Sequence, residues 1–583
     1  MPLRAPESAT MPVHNDAIAD MFDRLADLLE LEDANPFRVR AYRNAAGTIR
    51  GHARPMADLI DAGEDLSKLP DIGDDLAEKI ATIVANGKLP LLLEVESRTP
   101  AALSDMMKIR GLGPKRVKAL YRKLEIRSMD DLRRAARSGK IRELEGFGEK
   151  TEQLIRERVE RYVNEERRFK LVAAEHIATP LVDHLQQARG VGDVIVAGSL
   201  RRRQETIGDL DILVTAGRNS NVMDRFVEYD EVMEVMSKGK TRASVRLRSG
   251  MTVDLRVVPK TSYGAALVYF TGSKAHNIAL RKAGIKKNLK INEYGVFRNK
   301  KRIAGATETS VYEAIGLPVM PPELRENRGE LEAARAGRLP RLILLEDIRG
   351  DLHCHSNATD GNCTVQEMAE AAVQLGYEYI SINDHSQHVT VANGLDKKRL
   401  EEQIAAVDNL NDKLDDIVVL KSAEVDILED GSLDLPDSVL KKLDFTVCAV
   451  HYEFNLTRKK QTERVLRAMD NRYFNVLAHP TGRLINEREA CDIDLERLME
   501  AARERGCCLE INAHPDRLDL NDVTCKMARD VGVKLVLSTD AHRTSDLGYM
   551  RFGIGQARRG WISKSDVINT LPLEKLLKAL RRC

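Results

Sequence analysis

Residues 14 to about 165 repeat their apolar positions at helical spacing between short Gly/Pro turns, which predicts an all-helical region. From about 168 to 318 the period shortens. Strands are predicted over Val191–Ala197 and Asp209–Val214, and a hairpin joins Ala243–Arg248 to Met251–Val258 across Ser249-Gly250. Residues 319–347 hold Pro321-Pro322, charged helical stretches and Pro340, and read as a linker. From Gly350 onward apolar runs alternate with amphipathic helices, the order of an α/β barrel or distorted barrel. The fold class expected is therefore multidomain, α followed by α/β.

Three turns in the helical region are alike: Leu69-Pro70-Asp71-Ile72-Gly73-Asp74, Ile109-Arg110-Gly111-Leu112-Gly113-Pro114 and Leu144-Glu145-Gly146-Phe147-Gly148-Glu149. Glycine permits close approach of another backbone, and the free N–H groups and dipole of the following helix suit a phosphate oxygen. Three copies point to a nucleic-acid grip through Gly73, Gly111, Gly113, Gly146 and Gly148, with Lys115, Arg116 and Lys118 beside the second copy. The first copy has Asp71 where the pattern asks for glycine. The turns resemble helix-hairpin-helix motifs, where a bound monovalent cation is also expected.

The segment Gly198-Ser199-Leu200-Arg201-Arg202-Arg203-Gln204-Glu205-Thr206-Ile207-Gly208-Asp209-Leu210-Asp211 is the most specific motif in the chain. Asp209 and Asp211 stand two apart on a strand and face one side. Two metals about 3.5–4 Å apart need shared carboxylate oxygens, and Asp254 can add a third from a neighbouring strand. Gly198, Ser199 and Arg202 suit a triphosphate through backbone N–H, hydroxyl and guanidinium groups.

This segment resembles the nucleotidyltransferase palm of family X DNA polymerases, the polymerase beta family. The likeness continues in Tyr269-Phe270-Thr271-Gly272-Ser273, Asn277, Arg281 and Ile291-Asn292-Glu293-Tyr294-Gly295. It implies that Asp209 and Asp211 bind both catalytic ions, Mg²⁺ or Mn²⁺, and that Asp254 activates the primer 3′-hydroxyl. Ser199, Arg202, Gly208 and Arg168 would hold the triphosphate. Tyr269, Phe270 and Gly272 would line the sugar and exclude ribonucleotides, Asn277 would touch the incoming base, and Arg281 the template. Ala41-Tyr42-Arg43-Asn44-Ala45-Ala46 and Ala77-Glu78-Lys79-Ile80 look like the lyase domain of that family, with Lys79 at its Schiff-base position, although Asn44 and Asp75 replace basic residues.

Beyond Gly350, His353, His355, His385, Glu424, His451, His479, Asp540 and His542 lie at or just past apolar runs, as a multi-metal hydrolytic site requires. These residues resemble the PHP (polymerase and histidinol phosphatase) domain, which implies Asp360, in Thr359-Asp360-Gly361, as a ninth ligand and up to three ions, Mn²⁺ or Zn²⁺, bridged by Glu424. Cys354 would point away from His353 and His355. His388 and His514 are read as rim residues.

Composition narrows this little. The 583 residues are too many for one core, and a net charge of +1 neither favours nor disfavours binding to nucleic acid. Eight cysteines without a Cys-x-x-Cys pair read as reduced and structural. No apolar run long enough to cross a membrane and no signal peptide is present, so a cytoplasmic protein, nucleoid-associated when on DNA, is expected. The expected parts are 1–90 lyase-like, 91–167 helix-hairpin-helix fingers, 168–260 palm, 261–320 thumb, 321–347 linker and 348–583 PHP barrel. The implied function is gap-filling DNA synthesis in repair by a monomer on gapped or nicked DNA with dNTPs. A metal-dependent 3′→5′ exonuclease accompanies it, with abasic-site cleavage, 3′-phosphate removal and deoxyribose-phosphate lyase activity as further expectations. The rival readings are a template-independent nucleotidyltransferase and a DNA-end-binding scaffold with degenerate sites.

Overall fold

The computed structural model describes residues 15–50, 56–107, 109, 112–164, 168–217 and 219–582. They fall into two compact units, divided between Arg168 and Phe169.

The first unit is entirely helical among its described residues, as the apolar period predicts. Helices α1 (Asn15–Leu31) and α2 (Pro36–Arg50) pack through Phe22 and Tyr42, whose rings meet edge to face at 5.6 Å. The glycine turns precede α3 (Asp74–Asn86), α4 (Pro114–Leu124) and α5 (Glu149–Asn164). Ile72, Leu112 and Phe147, the apolar residue at the middle of each turn, are buried in one common core.

The second unit begins with a mixed sheet of β1 (Val191–Val196), β2 (Asp209–Ala216), β3 (Val232–Lys238), β4 (Arg242–Leu247) and β5 (Thr252–Val258), in the order β1-β2-β5-β4-β3. The predicted hairpin is β4–β5, with Gly250 at φ +89° in its turn. A short helix, α6 (Gly198–Arg201), follows β1, and α7 (Tyr263–Thr271) and α8 (Lys274–Ile285) lead into a three-stranded antiparallel sheet.

The stretch expected as a linker is packed. Leu324, Leu331 and Leu342 are buried, and Arg325 is wholly enclosed, donating to Glu308 and to the Met320 carbonyl. Glu330 opens α9 (Glu330–Arg335) and accepts from buried His276 Nδ1 at 2.6 Å and from the amides of Asn327 and Arg328. Charges of this stretch are spent on buried pairs, which burial permits only when each is satisfied.

The remainder is a ring of parallel strands: β6 (Gly350–Cys354), β7 (Tyr379–Ile382), β8 (Val418–Lys421), β9 (Glu424–Asp426), β10 (Val447–Ala449), β11 (Val476–Leu477), β12 (Cys508–Asn512) and β13 (Lys534–Ser538). They form sheets of three and five strands, joined by single parallel bridges at His385–Glu424 and Cys354–Ala541. A break at Ser422-Ala423 separates β8 from β9 along one run, so the barrel is distorted, as expected. Alternate residues of the strands face the C-terminal helix Leu573–Leu580 on one side and the outer helices on the other. The seven described cysteines are free, and Cys354 lies in the core.

Replacing Glu330 by Ala leaves His276 and two amides without their acceptor. The expected loss is about 3 kcal/mol, seen as a lower urea midpoint with an unchanged m-value, whereas Glu332→Ala on the exposed side of α9 should cost less than about 0.5 kcal/mol. Equal midpoints for the two variants would contradict the packed connection.

Candidate functional site

Strands β2 and β5 run parallel with Asp211 directly opposite Asp254, and Asp209 precedes Asp211 on the same face. Burial is the first cause, and Asp209 and Asp254 the next, that push the Asp211 carboxyl up to about 7. Asp254 Oδ1 is buried and accepts no hydrogen bond. An acidic cluster with an unsatisfied inward oxygen suits divalent cations, so the residues present fit the group that the motif implies.

Gly198 is demanded here twice over. It adopts φ +59°, and a Cβ at this position would sit 2.6 Å from Asp211 Oδ2. The α6 turn thus brings Ser199, half buried, and Arg202 beside the carboxylates, with Gly208 immediately before Asp209. Arg202 Nη1 donates to the Thr271 carbonyl, and Gly272, at φ +71°, has Arg202 within 3.1 Å of its absent Cβ. The two polymerase-like motifs are therefore joined by one guanidinium. Tyr269 and Phe270 meet edge to face at 5.1 Å, Asn277 Nδ2 donates to the Tyr269 carbonyl at 2.7 Å, and Arg281 Nε donates to the Asn277 carbonyl at 3.3 Å. Arg168 is exposed and is the last residue of the first unit.

In the helical unit Gly73 and Gly113 cap α3 and α4 with no side-chain acceptor for the first amides. A Cβ at Gly73, Gly113, Gly146 or Gly148 would meet nothing within 4 Å, so packing within the protein does not demand these glycines. Gly146 takes φ +84°, and Asp71 takes φ +59° at the corresponding place in the first copy, with Asn44 Nδ2 donating to its carboxylate at 3.2 Å. Gly111 lies outside the described residues. Lys115 is exposed, whereas Lys118 pairs with Asp33 and Arg116 lies over the Phe147 ring of the third turn at 5.7 Å. Lys79 is paired with Asp75, and the pocket lined by Arg38, Tyr42, Gly73 and Asp75 does not include it.

The barrel brings its nine sequence-selected residues to the C-terminal ends of the strands. Three groups of ligand atoms each fall within 4.8 Å: His355, Asp360, His385 and His542; His353, His355 and Asp540; and His385, Glu424 and His451. His479 joins through Nε2, 2.9 Å from Glu424 Oε1, although it belongs to none of the three groups. Asp540 and His479 hold left-handed backbone, φ +57° and +26°, a strain that surrounding structure must maintain.

Burial alone would raise Glu424, but His451, His385 and His353 outweigh it and hold the carboxyl well below its usual range. Asp540 behaves alike under His353, His355 and Arg517. Burial lowers His385 and His542, yet Glu424 and Asp360 for the first, and Asp360 and Asp540 for the second, carry them to about 10 and about 9. His355, buried and beside His542 and His385, falls to about 4. His353 Nε2, both His355 nitrogens and His385 Nδ1 are buried and make no hydrogen bond of good geometry, with His385 Nδ1 2.9 Å from Glu424 Oε2 and His355 Nε2 3.2 Å from Asp540 Oδ1. Positive charge is needed at the centre of this cluster, and orphaned ring nitrogens face it, so the donor set fits metal ions.

Residues around the ligands were less visible in the sequence. Glu510 accepts from His353 Nδ1 at 2.7 Å, the His479 amide at 2.6 Å and Ser538 Oγ at 2.6 Å. Asp426 Oδ1 lies 3.1 Å from His451 Nδ1. Such carboxylates orient imidazoles toward a metal. A charge inside the buried run Cys508-Leu509-Glu510-Ile511-Asn512 was the available signal. Asp384, by contrast, is absent from the ligand groups and binds Ser356 and Thr359, tying loops together. His388 is half exposed with Nε2 3.5 Å from Asp426 Oδ2, and His514 packs on Tyr549 at 5.3 Å; both stand outside the ligand groups.

Comparison with known proteins agrees part by part. A helix-hairpin-helix domain matches residues 13–89, a SAM-like helix-hairpin-helix tandem 103–161, the DNA polymerase beta thumb 266–326 and the PHP domain 351–514. The DNA polymerase/3′-5′ exonuclease PolX of Bacillus subtilis (strain 168) is 35% identical over 98% of this chain and 100% of its own length. Probable phosphatases of Thermoanaerobacter sp. (strain X514) and Caldanaerobacter subterraneus are each 28% identical, over 38% and 34% of this chain and 89% and 78% of their own lengths. With a full-length relative, a polymerase beta thumb and a PHP barrel in one chain, the protein belongs to the bacterial family X DNA polymerases that carry a C-terminal PHP domain.

Proposed function

We propose that the chain fills short gaps in DNA during repair and trims 3′ ends at a second, separate site. It is a DNA polymerase and a 3′-5′ exonuclease. The observation that carries the reading is the register of Asp211 against Asp254 with Asp209 beside them, next to a turn that offers Ser199 and Arg202.

In this reading Ser199, Arg202 and Gly208 bind the triphosphate of the incoming dNTP, and Tyr269-Phe270 leaves no room for a 2′-hydroxyl. Asp254 receives the proton of the primer 3′-hydroxyl as that oxygen attacks the α-phosphorus and pyrophosphate departs. The divalent ions, Mg²⁺ or Mn²⁺ in the palm and Mn²⁺ or Zn²⁺ in the barrel, neutralise phosphate charge and activate the attacking oxygen when bound. In the barrel, Glu510 and Asp426 hold His353 and His451 in place, and the nine ligands would hold the ions that activate the attacking oxygen on the phosphodiester to be cut. The glycine turns grip gapped or nicked DNA through its backbone. The division into lyase-like, fingers, palm, thumb and PHP parts, and action as a monomer, belong to this proposal. The turns and the Tyr269–Ser273 segment favour templated synthesis over the template-independent alternative.

A gapped, 5′-labelled primer, with and without dNTPs, tests the two sites together. Asp209→Ala should reduce nucleotide addition at least about 10³-fold while exonuclease persists, and His355→Ala should do the reverse and lower bound metal per chain. Parallel loss of both activities in either folded variant would sink the two-site reading.

Metal uptake by the barrel should be strongly pH-dependent. His385 and His542, at about 10 and about 9 without metal, carry protons at pH 7.5 that ligation must expel. Affinity should therefore fall as pH falls below about 10, and more steeply below about 9. Calorimetry in buffers of different ionisation enthalpy should register at least two protons released per chain. No buffer dependence would refute the assignment of these two histidines.

Because Gly113 has open space beside it, Gly113→Val should leave the melting temperature within a few degrees of wild type. It should weaken binding to gapped DNA of any sequence about tenfold. Altered sequence preference, measured by fluorescence anisotropy on several duplexes, would argue against a backbone grip.

A further inference from the structure

Helix α10 (Met550–Arg559) belongs to the PHP barrel, yet one of its faces lies on the palm. A Cβ at Gly555 would stand 3.3 Å from the Arg203 side chain, so the helix approaches the palm turn closely. At the start of the helix, Arg551 reaches Glu175, which Arg203 also contacts. At its end Arg559 is almost fully enclosed and donates from Nη1 to the Arg202 carbonyl at 2.7 Å and to Glu326 Oε1 at 2.9 Å, and from Nη2 to Asp522. Nearby, Arg483 forks onto Glu205 at 2.7 and 3.2 Å. The turn that leads into the catalytic carboxylates is thus held by barrel side chains on both sides.

Glu326 is the point where these contacts meet. Its Oε1 accepts from Arg202 Nε at 3.0 Å, from Gln204 Nε2 at 3.1 Å and from Arg559 Nη1. Arg202 is therefore fixed at three points: its carbonyl by Arg559, its Nε by Glu326, and its Nη1 by the Thr271 carbonyl. Its Nη2 makes no hydrogen bond among the described residues. A free arginine side chain samples many rotamers, and one already fixed loses less freedom when it meets a phosphate. The carboxylate that fixes Arg202 would itself be drawn toward any cation. Arg559 anchors it from behind and offsets its charge.

We propose that Arg559 of the PHP barrel and Glu326 are positioning residues for nucleotide addition, holding Arg202 so that Nη2 faces the triphosphate of the incoming nucleotide. The barrel is then part of the polymerase's nucleotide site as well as a separate hydrolase. This rests on the reading of Arg202 as a triphosphate ligand.

The test uses the full chain, gapped DNA and steady-state addition of a single dNTP. Arg559→Ala and Glu326→Ala should each raise the KM for dNTP on the order of tenfold, with kcat within about twofold. The double variant should be no worse than Glu326→Ala alone, because both act through one guanidinium. Arg559→Lys, which can still reach one acceptor, should recover part of the loss. Exonuclease on a single-stranded, 5′-labelled oligonucleotide, measured on the same preparations, should be unchanged in Arg559→Ala. Arg202→Ala separates the two levels of the argument. If it raises the KM for dNTP and Arg559→Ala does not, the positioning proposal fails alone. If Arg202→Ala leaves the KM unaltered, the triphosphate reading beneath it fails. A joint fall of both activities and of melting temperature in Arg559→Ala would make the contact a structural support and also overturn the proposal.

Discussion

Like charges held at close range are the constraint on which both sites depend. In the palm, three carboxylates share one face of two adjacent strands, and Arg202 and Arg256 offset only part of their charge at Asp211. Burial first, and Asp209 and Asp254 next, push the Asp211 carboxyl up to about 7. In the barrel the carboxylates are interleaved with histidines, so Glu424 and Asp540 stay ionised while His385 and His542 gain protons. The two solutions suit different ions. An all-oxygen cluster favours hard cations, and a mixed nitrogen and oxygen cluster favours transition metals.

Holding such clusters requires rigid surroundings. Gly198 exists as glycine because Asp211 occupies the space of its Cβ, and Glu510 and Asp426 fix the rings of His353 and His451. Farther out, buried arginine–glutamate pairs do the same at larger scale. Arg201 and Arg325 share Glu308, and Arg202 and Arg559 share Glu326. Each pair would be costly if broken, since the remaining charge would stay buried, and this makes the geometry of palm, thumb and barrel interdependent.

Much of this architecture was legible in the chain. The helical period of the first unit, the β4–β5 hairpin and the barrel's alternation all reflect local patterns of burial, which side-chain periodicity reports directly. Strand β3 was not legible: Val232–Lys238 is largely exposed, so its strand form comes from hydrogen bonding to β4 and carries no apolar alternation. The 321–347 stretch was misread for a related reason. Its charges look solvated in sequence because their partners, such as Glu308 for Arg325 and His276 for Glu330, are distant along the chain. Lys79 and Lys118 looked available and are instead paired with Asp75 and Asp33.

Sequence by itself determined which chemistry the protein could hold. Asp209, Asp211 and Asp254, the three glycine turns and the histidines and carboxylates at the barrel's strand ends follow from residue type and spacing, because strand and helix periods dictate which side chains share a face, whereas Asp360 follows from the likeness to the PHP domain. Tertiary structure alone decided how those groups are held. The Asp211–Asp254 register, the carboxylates behind the histidines and the convergence of Arg202, Glu326 and Arg559 join residues up to several hundred positions apart. Such contacts arise from packing and charge pairing in three dimensions, which no local pattern along the chain encodes.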